Sequence, residues 1–292
     1  MKKTNILLYG EGGTGKSASI ATLFKLLDKF PNLKVRYLMT EANAMDGMID
    51  GLERQQIKLK KGQLHYMVAR DSFTHKYTSK NAADDFKTNF LNVSDSEALK
   101  VKIGSGDRAK HDEFYNILVG LATFKGIDYV TKEEENLGDF YKWDSDCILV
   151  VDSLTTCVEY LVAAVKGNRI ATIQSDYNNV QTNLMSKIVI PLTEKCDCSV
   201  VVLGHPVIGE DQTVKQPKEE ENKITKLYPK TFGQALNNTI ISRFSETIFA
   251  YVDRQDNFYW AGKKEGVATS PRRVPRQDKL EPDFSKYPIF TE

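Results

Sequence analysis

Apolar residues gather in short bursts, NILLY at 5–9, KVRYLMT at 34–40, CILVV at 147–151 and SVVVL at 199–203, each bounded by glycine or polar residues. Near-continuous apolar runs of this length predict strands buried on both faces of a parallel sheet. Between the first two bursts the spacing changes. Ile20, Leu23, Phe24, Leu26 and Leu27 fall at helical intervals within 16–29, and Pro31 stops the helix. Strand, helix, strand in that order is a βαβ unit. Helices are also predicted over 111–124, 155–165 and 177–194, a strand over 63–69, and a hairpin from 247–253 and 257–261. The fold class expected is α/β: a mostly parallel, twisted sheet flanked by helices.

Other stretches lack a period. Residues 53–140 read as an insertion, with a polar stretch at 71–107 and an irregular arm or hairpin at 126–143. A long polar loop is expected over 209–228. From Gly262 the chain turns rich in Pro and Arg, so the expected division is a core at 1–262 and a basic tail at 263–292. There is no internal repeat.

Composition narrows the picture slightly. Forty Lys and Arg against 39 Asp and Glu give a net charge of +1, so any nucleic acid or anionic surface must be met by a local patch. The apolar run after MKKTN is too short for a signal peptide, and no apolar stretch reaches the roughly 18 residues of a membrane span, so cytoplasm is the expected location. Cys147, Cys157, Cys196 and Cys198 with four scattered histidines supply no zinc-site spacing; reduced thiols are expected.

The chemistry concentrates at the end of the first burst. GEGGTGKS, Gly10 to Ser17, matches G-x-x-x-x-G-K-[ST] at every defined position. Glycines at 10, 12, 13 and 15 allow backbone conformations closed to other residues, so successive N–H groups, including those of Glu11, Thr14 and Ala18, can face phosphate oxygens. The helix that follows adds its positive end. Lys16 would reach the β- and γ-phosphates of ATP, and Ser17 would be a ligand for Mg2+. A second metal-side carboxylate is needed at a neighbouring strand end, and Asp152 closes ILVVD. Hydrolysis also needs a group to orient and partly deprotonate water. Glu41, just past the second strand, is the candidate, because ligands of open α/β sheets sit at the carboxyl ends of strands.

Three strand ends, TEAN at 40–43, VVDSLTT at 150–156 and VVLGHP at 201–206, resemble in order the RecA-like ATPases. The resemblance implies a RecA-type P-loop core, with Glu41 as catalytic base, Asp152 and Ser153 as the Walker-B ending, and His205 as a polar sensor of the γ-phosphate. His205 is a departure from the recombinases, which usually carry Gln there. YPKTFGQALNNTIISRF at 228–244 and LEPDFSKYP at 280–288 look like the late part of phage-encoded members, some of them single-strand annealing proteins. The match covers about 4–50 and 141–290.

In that family, loops after the Walker-B helix and the sensor strand bind single-stranded DNA; here they would be 166–176 and 209–228. The first carries Lys166 and Arg169, whereas the second mixes Lys215, Lys218, Lys223 and Lys226 with Glu210, Asp211, Glu219, Glu220 and Glu221. The basic segment 263–279 has three competing uses: a DNA contact, a finger supplied to a neighbouring subunit's ATP, or a solvated tail. Finger candidates are Lys263, Arg272, Arg273, Lys230 and Arg243, and a finger implies a homo-oligomeric ring or filament. The expected activity is an ATPase dependent on single-stranded DNA in phage recombination, annealing or replication, beside a single-stranded-DNA-binding protein. The alternative is an oligomeric ATP switch that gathers partners without DNA. A small-molecule kinase has no acceptor-binding signature in its favour.

Overall fold

A computed structural model of the chain describes residues 1–41, 44–69, 113–166, 169–211, 214 and 223–291. The polar stretch at 71–107 and the first residues of the helix expected at 111–124 lie outside them. The chain runs β1 (Asn5–Gly10), α1 (Lys16–Ile20, tightening to a 3-10 turn over Ala21–Asp28), β2 (Lys34–Met39), α2 (Ala44–Arg54) and β3 (Leu64–Val68). It continues through α3 (Glu113–Ala122), β4 (Lys125–Asp128), β5 (Glu134–Asn136), β6 (Cys147–Asp152) and α4 (Leu154–Lys166). Then come α5 (Gln174–Leu184, extended by wider turns to Lys195), β7 (Ser199–Gly204), β8 (Pro206–Glu210), β9 (Thr225–Pro229), α6 (Gln234–Ile241), β10 (Glu246–Val252) and β11 (Phe258–Ala261).

Among the described residues the main sheet has the order β11-β10-β1-β7-β6-β2-β3-β4-β5. β10, β1, β7, β6, β2 and β3 are parallel, and the antiparallel β11 and β4–β5 close the two edges. Alternation along each strand divides the core. Leu7, Leu149, Val151 and Val202 face α3, α4 and α5, whereas Ile6, Leu8, Val150 and Val201 face α1 and α2. Each such fully buried aliphatic side chain contributes roughly 1.5–3 kcal/mol. With the glycine loop leaving the central β1, this is the α/β class expected, a RecA-type P-loop fold with a mostly parallel sheet flanked by helices.

Several expectations need revision. Within 53–140 the described parts do not stand apart: β3 pairs with β2, and α3 packs into the core. The polar loop at 209–228 includes β8 and β9, which form their own antiparallel hairpin. Residues 263–291 are no free tail. Phe284, Ile289 and Phe290 are buried, Phe284 meets Trp260 edge to face at 4.6 Å, and Asp283 pairs with Lys25 of the α1 extension at 2.6 Å. Composition masked these anchors, because they stand among polar and proline residues such as Glu281, Pro282, Lys286 and Pro288. No helix among the described residues is long and apolar enough to cross a membrane.

Candidate functional site

The sheet order brings four strand ends side by side: the loop after β1, His205 after β7, Asp152 at the end of β6, and Glu41 after β2. In-register pairing sets Met39 opposite Asp152, and Thr40 N–H donates to the Asp152 carbonyl at 2.6 Å, so Glu41 emerges two residues beyond the acidic end of β6. A cavity of about 350 Å3 opens there, lined by Gly12 to Ala18, Glu41, Asp152 and His205. Gly10 and Glu11 contribute their carbonyls from the loop's first turn. The structure thus gathers every residue singled out for phosphate, metal and water.

The loop takes its shape from glycine. Gly13 and Gly15 have φ of 76° and 74°, conformations that cost a side-chain-bearing residue about 1 kcal/mol or more. Lys16 is only 8% exposed; its Nζ donates to the carbonyls of Gly10 at 2.8 Å and Glu11 at 2.7 Å. Thr14 Oγ1 donates to Glu11 O at 2.8 Å and ties the loop across its base. Burial pulls the Lys16 ammonium below the usual lysine range, with the charges of Asp152, Glu41 and Glu11 opposing that shift. α2 can lie against α1 because Gly51 has no side chain: a Cβ there would sit 2.3 Å from Ala18 O. That contact brings Asp50 and Arg54 to the cavity wall.

Asp152 is 3% exposed, and its Oδ2 accepts from Ser17 Oγ at 2.8 Å and from Tyr37 OH at 2.6 Å. Burial raises its carboxyl above the ordinary range, while the Tyr37 bond pulls the other way. A hydroxyl and a carboxylate in contact form a hard oxygen pair, the donor type that suits magnesium, which takes few protein ligands and keeps water and phosphate oxygens. Among the described residues no group of three or more His, Cys, Asp or Glu could hold a metal on its own. The residues present fit magnesium accompanied by a phosphate chain.

Glu41 is held differently. Its Oε1 accepts from Ser153 Oγ at 2.6 Å, Thr156 Oγ1 at 3.1 Å and His205 Nε2 at 3.3 Å. The His205 bond, with the two hydroxyls, outweighs partial burial and brings its pKa down to about 2. His205 is fixed in turn where its N–H donates to Thr155 Oγ1 at 2.9 Å. So each hydroxyl of DSLTT has a partner at the site, a use that the sequence reading did not assign. Tyr37 and Phe258 were also missed. Tyr37 reads as one more apolar strand residue, and Phe258, 38% exposed, sits on the antiparallel β11 beside Gly15.

Three of the finger candidates are engaged within the chain. Arg273 donates to Thr4 Oγ1 and Ile289 O, Arg243 pairs with Glu194 at 3.1 Å, and Lys230 pairs with Glu159 at 2.9 Å. Lys263 and Arg272 are exposed. In the two loops, Arg169 pairs with Asp176, Lys223 with Glu210 and Lys226 with Asp211, so these three charges are matched locally; Lys215 and Lys218 lie outside the described residues.

No family model matches the chain, and neither does any curated protein. Among solved structures it is similar to an ATPase from the type III secretion system of pathogenic bacteria, at 10% identity and a TM-score of 0.38, over 87% of this chain and 53% of that one. It is also similar to a KaiC-like protein from the hyperthermophilic archaeon Pyrococcus horikoshii OT3, at 10% identity and a TM-score of 0.34, over 96% and 87%. The chain spans about half the length of the first of these. The RecA-type class stands on the chain's own strand order and glycine loop.

Proposed function

We propose that the chain binds ATP with Mg2+ at Gly10 to Ala18 and hydrolyses the terminal phosphate. One observation carries this reading: an ionised Glu41 and a Ser17–Asp152 oxygen pair share the cavity that holds the glycine loop and Lys16. Lys16 Nζ would exchange the carbonyls of Gly10 and Glu11 for β- and γ-phosphate oxygens, and Ser17 and Asp152 would hold the metal side. Bound magnesium would supply positive charge against the phosphates as the terminal group leaves. Glu41 orients the attacking water. With a pKa near 2 it is a weak base, so its proton transfer comes late, when the water has begun to bond to phosphorus.

The finer form of the proposal is dependence on single-stranded DNA, in phage recombination, annealing or replication, by a homo-oligomer working beside a single-stranded-DNA-binding protein. Two features support it. His205 leads directly into β8, so the site is joined to a hairpin that exposes Ile208 at 71%, and the turn after α4 exposes Ile170 at 96%. Exposed aliphatic side chains can pack against bases while neighbouring Lys and Arg meet phosphates. The matched charges of Lys223, Lys226 and Arg169 favour the alternative, an ATP switch that gathers protein partners.

Phosphate release from ATP, measured with magnesium, with EDTA, and with and without single-stranded DNA, tests these readings. Magnesium-dependent release is expected, and its absence under every condition contradicts the ATPase. Stimulation and salt-sensitive binding by DNA are expected of the finer form. Unstimulated release, with partner sets that differ between ATP and ADP in pull-downs, would select the switch.

A further inference from the structure

Three donors converge on a single oxygen of Glu41. Ser153, Thr156 and His205 all bond Oε1, and among the described residues Oε2 receives no hydrogen bond. A glutamate just past a strand end has freely rotating side-chain bonds, and this one is 36% exposed in its side chain, so packing alone does not fix it.

Proton counting ranks the donors. Each hydroxyl has one hydrogen to give. Ser153 gives its own to Glu41 at 2.6 Å while accepting from Thr156 N–H at 3.3 Å, the bond that caps α4. Thr156 lies 3.1 Å from both Glu41 Oε1 and Ser153 Oγ, so its hydrogen is shared between them. Ser153 is therefore the stronger tie. It is 1% exposed and fixed from behind, since its N–H donates to Thr40 Oγ1 at 2.8 Å while Thr40 Oγ1 donates to Asp152 O at 3.0 Å. The hydroxyls of Ser153 and Thr156 bond Glu41 and not Asp152, whose Oδ2 accepts from Ser17 and Tyr37 instead.

We propose that Ser153 and Thr156 are positioning residues that grip Glu41 through Oε1 and leave Oε2 as the oxygen offered to the attacking water. The proposal rests on the reading of Glu41 as the water-activating group. Orienting one lone pair toward the reacting atom is the contribution expected of such a grip, and a misplacement of about 1 Å is worth up to about 100-fold in rate. Nucleotide affinity should be untouched, since neither hydroxyl lines the phosphate loop.

The test compares Ser153→Ala, Thr156→Val, Thr156→Ser and Glu41→Gln, singly and with each of the first two added to Glu41→Gln, by kcat, KM and equilibrium ATP binding. The expected result is a kcat loss of about 10- to 100-fold for Ser153→Ala and about 3- to 10-fold for Thr156→Val, with ATP affinity within about twofold. Thr156→Ser should recover most of the rate. In the Glu41→Gln background neither substitution should cost more, because a grip has no effect without the group it grips. Thr156→Val keeps the Ser153 cap of α4, so it carries the test if Ser153→Ala folds poorly. Wild-type kcat in both variants, losses that add fully to that of Glu41→Gln, or weaker ATP binding at constant kcat would each overturn the grip. Normal turnover by Glu41→Gln would instead overturn the reading beneath it.

Discussion

Two polar clusters sit on the same sheet, and they are finished in opposite ways. At the carboxyl ends of β1, β6, β2 and β7, Lys16, Asp152, Glu41 and His205 line an open cavity. Where β2 meets the β3–β4–β5 edge, Arg36, His65 and Asp128 are 6%, 1% and 0% exposed, with Glu135 at the rim. Arg36 Nη1 bonds His65 Nδ1 at 2.8 Å, His65 Nε2 meets Glu135 at 3.1 Å, and Asp128 accepts from the backbone N–H of Gly62, Val130 and Thr131 at 2.7 to 2.9 Å. Burial pushes the Asp128 carboxyl up, but those three N–H donors outweigh it and hold the group below its usual range. In the edge cluster the protein supplies the partners; in the cavity, Lys16 rests on loop carbonyls and one oxygen of Glu41 receives no hydrogen bond from the described residues. That separates a cluster that fastens strands from one that, on the proposed reading, acts on a ligand.

Substitutions can break the comparison in either direction. The largest effect is expected from Lys16→Ala, which should weaken ATP binding by 100-fold or more, measured by titration calorimetry, while leaving the thermal midpoint of the nucleotide-free protein nearly unchanged. Asp128→Ala should do the reverse. It leaves three backbone donors without an acceptor and should lower unfolding stability by about 2–4 kcal/mol in denaturant titration, with ATP affinity within about twofold.

A smaller, pH-dependent effect sharpens the contrast. The folded-state pKa of Glu41 is depressed from 4.5 to about 2, so its ionised form persists well below neutral pH. Turnover should show no inflection from Glu41 between about pH 4 and 7, and an inflection near the ordinary carboxylate value of about 4.5 would mean that the three donors do not hold it. By the same sign, the stability contributed by Glu41 and Asp128 is present above their unfolded-state values. It is lost only as pH falls below about 4 and through their folded-state values, so unfolding midpoints should drop in that acid window.

Much of this was legible in the sequence. Gly10 to Ser17, Asp152 and Glu41 each stand at the end of an apolar burst, and a parallel sheet brings such ends to one side, so pattern and chemistry agree. His205 could be placed only through the family resemblance. The hydroxyls of Ser153, Thr155 and Thr156 were in view, yet serine and threonine after a strand read equally well as helix caps, and only the register of β2 on β6 turns two of them onto Glu41. The buried edge cluster escaped for another reason. Arg36, His65 and Asp128 lie far apart in the chain, and a polar residue in an apolar run gives no sign of its partner. The C-terminal segment escaped because a few anchors, Phe284 and Phe290 among them, outweigh a basic, proline-rich composition.

The central claim is that one cavity both binds ATP and activates water, and the most direct test is Glu41→Gln assayed for both on the same preparation. Equilibrium ATP binding within about twofold of the unmodified protein, with hydrolysis reduced about 100-fold or more, is the predicted result. Hydrolysis at the unmodified rate would contradict it.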